Sequence, residues 1–349
     1  MLLFHYMEKY MPRKTFKKIT TTPELINSIN YKNKLLMERF LREKNVRSSD
    51  KTIVNYRSHL NIFFVWNLQY NSDKFFCDIR KIEFADYFNF VVNDLNWGSA
   101  RFNGGRSCLS SLSSFTEKFL DDEYPQFRNV ILKAVELMPK SPTREKTVLS
   151  EDQINGLLKY LSDNNDIQEA CWLALATSSG ARFSELLRFT TDIIDENNTV
   201  FEGIFIETTK KIKTKGRTKT GKLLTKYIIK DLFLSYYDKW LLEREKILLE
   251  KDLDHNYIFI KRDGTPAEEH IVRSWITKFE NYLGVPFYPH ALRHYLTTHL
   301  FRIGLPAQLI KELFGWESLE MASLYNDMEA KDMKWNELEK LKEHLNNKQ

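Results

Sequence analysis

The sequence predicts a mainly α-helical protein with a small antiparallel β-sheet: an all-helical N-terminal domain followed by an α+β domain. Three observations carry this reading. A chain of 349 residues is roughly twice a typical domain length. Apolar side chains recur at three- and four-residue steps along most of it. Two β-branched, aromatic runs, Thr199–Thr209 and Lys222–Ile229, flank a Gly-bearing basic stretch, the pattern of a β-hairpin.

The boundary is read at residues 138–147, MPKSPTREKT, which hold two prolines, mixed charge and no apolar period. This predicts a helical domain over 1–137, with an N-terminal extension over 1–22, then a linker over 138–147. An α+β domain over 148–330 and a charged helical tail over 331–349 follow.

In the first domain the periodicity predicts helices over 24–44, 50–70, 81–95 and 104–120. Asp50 is the expected N-cap of the second, whose stripe is Ile53, Tyr56, Leu60, Phe63 and Phe64. Lys51, Arg57 and His59 fall off that stripe. Ser99 to Arg106 reads as a Gly- and Ser-bearing turn. The second domain opens with Ser150 as N-cap and acidic residues in the first turn, which suit the helix dipole. Helices are predicted over 151–161, 166–178 and 182–189. The hairpin comes next, then a helix over 231–249, a short strand Tyr257–Ile260 ended by Asp263-Gly264, and helices from Glu268 onward.

Composition excludes several classes. With 24 Phe, 16 Tyr and 7 Trp the chain is too rich in apolar rings for a solvated coil. Cys77, Cys108 and Cys171 are widely separated and odd in number, so neither a zinc-ligand pattern nor a disulfide framework is expected. Buried thiols in a reducing, cytoplasmic setting are the expectation. No apolar run is long enough for a membrane span, and the N-terminal charges follow the apolar start, the reverse of an export signal. The formal charge of +5 is mild. It divides unevenly: residues 1–147 hold 24 Lys and Arg against 16 Asp and Glu, so the remainder is acidic overall.

Four segments could carry chemistry. Residues 208–230, TTKKIKTKGRTKTGKLLTKYIIK, hold nine Lys or Arg and no acid. They form either a mobile basic loop or a turn that lays cations on a nucleic-acid backbone. In SSGARFSELLR (178–188), Gly180 ends a helix and Arg182 and Glu185 lie one turn apart. In PHALRHYLTTHLFRIG (289–304), Pro289 sets a helix start and His290 and Arg293 project together near it, a suitable anion site. His294 reads as structural, and Leu292, Leu296 and Leu300 as core. In 305–327, Leu309, Ile310 and Leu313 form a core stripe closed by Gly315, with Trp316 beyond the helix end and Tyr325 nine residues on.

The order of these elements, Arg-x-x-Glu, a Lys-rich β-turn, His-x-x-Arg, Gly-Trp, then Tyr, resembles the catalytic domain of the tyrosine recombinase (phage integrase) family. The resemblance covers about residues 149–330, and PHALRHYLTTHLFRIGLPAQLIKELFGW is similar to the family's second box. The basic helical first domain resembles the family's core-binding domain in class and position. Gly216-Arg217-Thr218-Lys219-Thr220 and Trp316 look like the corresponding features of Cre recombinase.

The resemblance implies an enzyme that breaks and rejoins DNA through a 3′-phosphotyrosyl intermediate and a Holliday junction, without metal, ATP or other cofactor. It implies Tyr325 as nucleophile, and Arg182 and Arg293 as bidentate clamps on the phosphate oxygens. Lys219 would be the general acid, with Lys213 and Lys215 as rivals in the same turn. His290 would donate to a nonbridging oxygen or manage the tyrosine proton, Trp316 would hold an oxygen, and Glu185 would orient the basic groups. DNA contacts are expected from Lys211, Lys213, Lys215, Arg217 and Lys222 on the hairpin, and from Lys51, Arg57, Arg101 and Arg106 in the first domain. The implied partners are a duplex site with inverted-repeat arms and three further copies of the chain, in a homo-tetramer on two sites. The tail over 331–349 would either dock on a neighbouring protomer or stay a solvated helix.

A type IB topoisomerase shares the chemistry, and a DNA-binding protein that has lost catalysis would share the fold. A metal-dependent nuclease would need clustered carboxylates, and none are evident.

Overall fold

The structure is a computed structural model and describes residues 21–139, 147, 149–214, 221–316, 318 and 319. Within these the chain divides into two compact units, one of residues 21–139 and one running from Thr147. Tyr325, Lys215, Arg217, Lys219 and the tail over 331–349 lie outside the described residues.

The first unit is helical. Its elements are α1 (Pro23–Ser28), α2 (Tyr31–Arg47), α3 (Asp50–Tyr70), α4 (Lys81–Asn93), α5 (Ser99–Phe119) and the single turn α6 (Ile131–Ala134). Its core is aromatic. Phe63 sits 5.0 Å from Tyr87 edge-on and stacks 5.8 Å from Phe84, with Phe76 fully buried beside them and Phe40 fully buried between Tyr56 and Phe115. Such ring pairs add geometric preference to the area they bury.

Three sequence expectations are corrected here. The helix expected over 24–44 is broken at Ile29-Asn30. Asn30 caps α2 by accepting from the Asn33 N–H, while Asp73 accepts from the Asn30 backbone at 2.8 Å and from its amide. The expected turn Ser99–Arg106 is instead the first part of α5. Gly104 and Gly105 are there for close approach, since a Cβ on Gly105 would lie 3.2 Å from the Trp97 ring and 3.4 Å from His59. Helix propensity loses to that packing. In addition, Ser49 rather than Asp50 caps α3.

The second unit is built around α8 (Ile167–Ser179), which is buried continuously from Ala170 to Ser179. A helix apolar on all sides belongs inside a core. It is surrounded by α7 (Glu151–Asp163), α10 (Lys230–Glu250) and α12 (Pro289–Arg302). Ser150 caps α7 as expected, with Gln153 returning a bond to its backbone N–H at 2.9 Å. Thr147 bonds the Pro286 carbonyl at 2.8 Å and fixes where this unit begins. The remaining helices are α9 (Phe183–Leu186), α11 (Glu269–Leu283) and α13 (Ala307–Phe314).

The strands are short: β1 (Thr199–Val200), β2 (Phe205–Glu207), β3 (Ile212–Thr214), β4 (Lys222–Leu224) and β5 (Tyr227–Ile229). They form two antiparallel sheets, β1-β2-β5 and β3-β4. In register, Phe205 faces Ile229 and Ile212 faces Leu224. The hairpin is therefore present. The run Thr199–Thr209 is two strands rather than one, because Phe201, Glu202 and Gly203 turn at positive φ between them. Tyr257–Ile260 forms only isolated bridges, to Thr190 and Pro266. The helix expected over 182–189 is the single turn α9.

Cys108 and Cys171 are buried free thiols, and Cys77 is half-buried rather than buried. No helix among the described residues is long and apolar enough to cross a membrane.

The polar pin of the first unit is testable. Buried Asn33 accepts from the Phe76 N–H and donates to the Lys74 carbonyl, both at 2.9 Å. Asn33→Leu is expected to lower unfolding free energy by about 1–3 kcal/mol, because a buried N–H loses its acceptor. Urea denaturation followed by tryptophan fluorescence measures this, and an unchanged midpoint would contradict it.

Candidate active site

The site is built at the corner where α8 ends. The hydroxyls of Thr177 and Ser178 bond back to carbonyls of the preceding turn, at 2.9 Å to Leu173 and 3.3 Å to Leu175. Gly180 closes α8 in the left-handed region at φ 54°. Its hydrogen atom matters as much as its φ, since a Cβ there would lie 2.1 Å from the Phe314 ring.

Beyond this turn, Arg182 is the N-cap of α9. Glu185, one helical turn on, reaches back with both carboxylate oxygens. Oε2 accepts from the Arg182 backbone N–H at 3.1 Å and Oε1 from its guanidinium Nη1 at 2.9 Å. The expected i, i+3 pair is therefore present, but it is no ordinary surface pair. The Glu185 side chain is fully buried and that of Arg182 is 25% exposed.

A third charge completes it. Lys226, between β4 and β5, donates from Nζ to Glu185 Oε2 at 2.7 Å, and its side chain is 3% exposed. Burial alone would raise the Glu185 carboxyl, but Lys226 and Arg182 outweigh it and hold the group below its ordinary value. Burial lowers Lys226, Glu185 opposes that, and Arg293 and Arg182 add to the lowering.

Arg293 comes from α12 and is 1% exposed. Its Nη1 donates to the Gly180 carbonyl at 2.6 Å. Its guanidinium lies 5.0 Å from the Phe314 ring centroid and 5.1 Å from that of Trp316. Gly315 ends α13 at φ 62° and turns Trp316 back into the core. Pro289 occupies the first turn of α12 as expected, and His290 is exposed there, one turn before Arg293.

Arg182, Glu185, Arg293 and Trp316 thus gather at one corner. Lys211, Lys213 and Lys222 are exposed on the hairpin, and the Lys213 carbonyl accepts from Arg188 at 2.6 Å. In the first unit Lys51 is exposed. Arg57 is clamped by both Glu38 oxygens, Arg101 lies 4.5 Å over the Trp97 ring, and Arg106 bonds the Val135 carbonyl at 2.6 Å.

Lys226 is the residue that sequence reasoning counted among nine cations without singling out. Its signal is strand alternation. It lies two residues before Ile228, which is fully buried, so both point to the same, inner face.

The fold is that of the tyrosine recombinases. The structure aligns with XerH site-specific recombinase bound to a palindromic difH substrate (TM-score 0.66, 16% identity, 96% of this chain and 92% of that one). It also aligns with a lambda integrase tetramer bound to a Holliday junction (TM-score 0.60, 17% identity, 89% and 82%). Residues 147–332 match the phage integrase family, and the chain belongs to that family of DNA breaking-and-rejoining enzymes. In sequence it is similar to the SPbeta prophage-derived recombinase-like protein YomM of Bacillus subtilis (28% identity, 85% of this chain and 87% of that protein). It is also similar to a tyrosine recombinase of Thermosipho africanus (25% identity, 80% and 89%).

Two outcomes test this geometry. The depressed Glu185 contributes stability that is present above the ordinary glutamate value of 4.5 and is lost as pH falls through its lower folded value. The stability gap between the native protein and Glu185→Gln is therefore expected to be largest near neutrality and to narrow below pH 4.5, in denaturation curves collected against pH. Gly180→Ala is expected to cost about 1–3 kcal/mol from backbone strain and the Phe314 clash. A melting temperature equal to the wild type would refute that packing.

Proposed function

We propose that the chain is a site-specific DNA recombinase that cuts and rejoins duplex DNA through a covalent 3′-phosphotyrosyl intermediate. The observation that carries this is the meeting of two arginines at one turn. Arg293 is anchored on the Gly180 carbonyl, and Arg182, two residues later, is anchored on Glu185. Each anchor fixes a planar fork that matches phosphate oxygens bidentately.

In this reading Arg182 and Arg293 neutralise the charge that gathers on the phosphoryl oxygens in the transition state. The Tyr325 oxygen attacks phosphorus, the phosphorus–O5′ bond breaks, and the departing 5′-oxygen takes a proton from Lys219. A phenol with a reference pKa near 10 needs such a positive field, or a base, to react at neutral pH. His290, exposed at the helix start, would donate to a nonbridging oxygen or manage the tyrosine proton. Trp316 would offer an indole N–H as a donor only. Glu185 would orient the basic groups and touch no DNA. Storing the bond as a protein–DNA ester lets the reverse reaction rejoin strands without ATP. Metal ions are not needed, because the arginines hold the charge that ions hold in other phosphoryl-transfer sites.

The relatives support the setting. One solved neighbour is a tetramer on a Holliday junction and another is bound to a palindromic substrate. We therefore assign a homo-tetramer on two inverted-repeat sites, exchanging strands in two steps through a Holliday junction. The hairpin cations Lys211, Lys213, Lys215, Arg217 and Lys222 would track the phosphate backbone beside the cut, and Lys51, Arg57, Arg101 and Arg106 would serve the first domain's grip on DNA.

A nicked suicide duplex tests the chemistry. Wild-type protein is expected to form an SDS-stable protein–DNA adduct that is unaffected by EDTA and absent with Tyr325→Phe. An adduct that survives Tyr325→Phe would remove Tyr325 from its role, and a strict metal requirement would overturn the mechanism. Lys219→Ala is expected to cut slowly on an ordinary 5′-oxygen and to recover on a 5′-bridging sulfur, a better leaving group.

A further inference from the structure

Resting on the recombinase reading above, we propose that Lys226 is a positioning residue for strand cleavage. It divides the Glu185 carboxylate with Arg182 and so keeps the Arg182 guanidinium turned toward the scissile phosphate.

The argument begins with what Lys226 cannot do. Its side chain is 3% exposed, and its Nζ is spent on Glu185 at 2.7 Å. It therefore meets neither phosphate nor leaving group. Its backbone is fixed as well: its N–H donates to Thr208 Oγ1 at 3.0 Å and its carbonyl accepts from the Thr208 N–H at 2.9 Å. Burying an ammonium is costly unless a partner compensates, and Glu185 is that partner. The arrangement is specific, because the buried residue just before β5 could have been aliphatic like Ile228 at lower desolvation cost.

Two consequences favour catalysis. The first is charge. Arg182 and Lys226 against Glu185 leave the cluster one positive charge in excess, while Arg182 and Glu185 alone would be neutral. The excess lies at the arginine corner, where the recombinase reading places the phosphate. The second is geometry. Glu185 holds the Arg182 guanidinium through Oε1, and its Oε2 is occupied by Lys226 and by the Arg182 backbone N–H. With Lys226 removed, Oε2 keeps the Arg182 backbone N–H but regains a free acceptor position, and a fork-to-fork pair through it would draw the Arg182 guanidinium onto Glu185. A displacement of about 1 Å at such a group costs up to about a hundredfold in rate. Because Lys226 lies at the foot of β4 and β5, the same bond ties the frame of the basic hairpin to the arginine corner.

The test uses the full-length protein. Lys226→Met keeps the length of the stem and removes the charge. It is expected to slow adduct formation on the nicked suicide duplex by about tenfold to a hundredfold, while the Kd for uncut duplex changes by less than about threefold. The 5′-bridging sulfur substrate separates the roles. It should restore Lys219→Ala and leave Lys226→Met slow, since Lys226 acts through Arg182 and not on the leaving group.

Rescue of Lys226→Met by sulfur would overturn the proposal and make Lys226 a proton donor. Wild-type cleavage rates in Lys226→Met would overturn it outright. Should Lys226→Met fail to fold, the Glu185→Gln/Lys226→Met pair carries the same question, because both buried charges then leave together. That protein should cut at the rate of Glu185→Gln alone, and a further tenfold loss would show that Lys226 acts other than through Glu185. Failure of the wild-type protein itself to form an adduct would refute the recombinase reading instead.

Discussion

The buried carboxylate of Glu185 is the constraint on which the rest of the second unit's site depends. A carboxylate with no exposure is tolerable only if its lone pairs are filled and its charge is matched. Here Arg182 and Lys226 do both, from opposite directions in the chain. Arg182 belongs to the turn after α8, and Lys226 to the strand pair that carries the basic hairpin. One acid therefore fixes the relation between a helix corner and a sheet. Arg293 then enters the same corner by its bond to Gly180, with Phe314 and Trp316 packed against its plane.

A domain of acidic balance can in this way still hold a locally positive corner. Net charge over the second domain is a sum over exposed surface, most of it distant from the corner. The local field is set by three buried or half-buried cations and one acid within a few side-chain lengths. Such groups are little screened by salt, whereas the exposed lysines of the hairpin are screened strongly. Under the proposed function, affinity for the duplex would therefore fall with ionic strength through the hairpin, while the chemical step would depend on groups that salt scarcely reaches.

Much of this was legible in the sequence, and the reasons differ by residue. Ser150, Gly180, Pro289 and Gly315 start or end helices through local backbone chemistry, which a short window displays. Arg182 and Glu185 were readable as a helical pair, but their burial was not, because burial depends on α8 and α12 and on strands far along the chain. Lys226 was hidden for the same reason: among nine cations nothing marks one as internal except its two-residue spacing from Ile228. Two of the failed helix expectations trace to packing partners outside the segment: Asp73 holds Asn30 and breaks 24–44, and the Trp97 and His59 rings pack close against the glycines inside the helix at 99–106.

The glycine at the corner shows how tightly those distant partners specify the site. Gly180 is needed for a positive φ and for clearance from Phe314, and the turn it makes presents a carbonyl that Arg293 reaches. The first demand is local and the second comes from Phe314, far along the chain, and only a residue without a side chain meets both. Phe314 in turn serves both as the wall that forbids a Cβ and as a face on which the Arg293 guanidinium rests. The packing that stabilises the domain and the aim of its arginines are thus the same contacts. Substitution at Gly180, Phe314 or Lys226, each of which fixes an arginine of the corner through a contact, is for that reason expected to disturb the placement of those arginines as well as the stability of the domain.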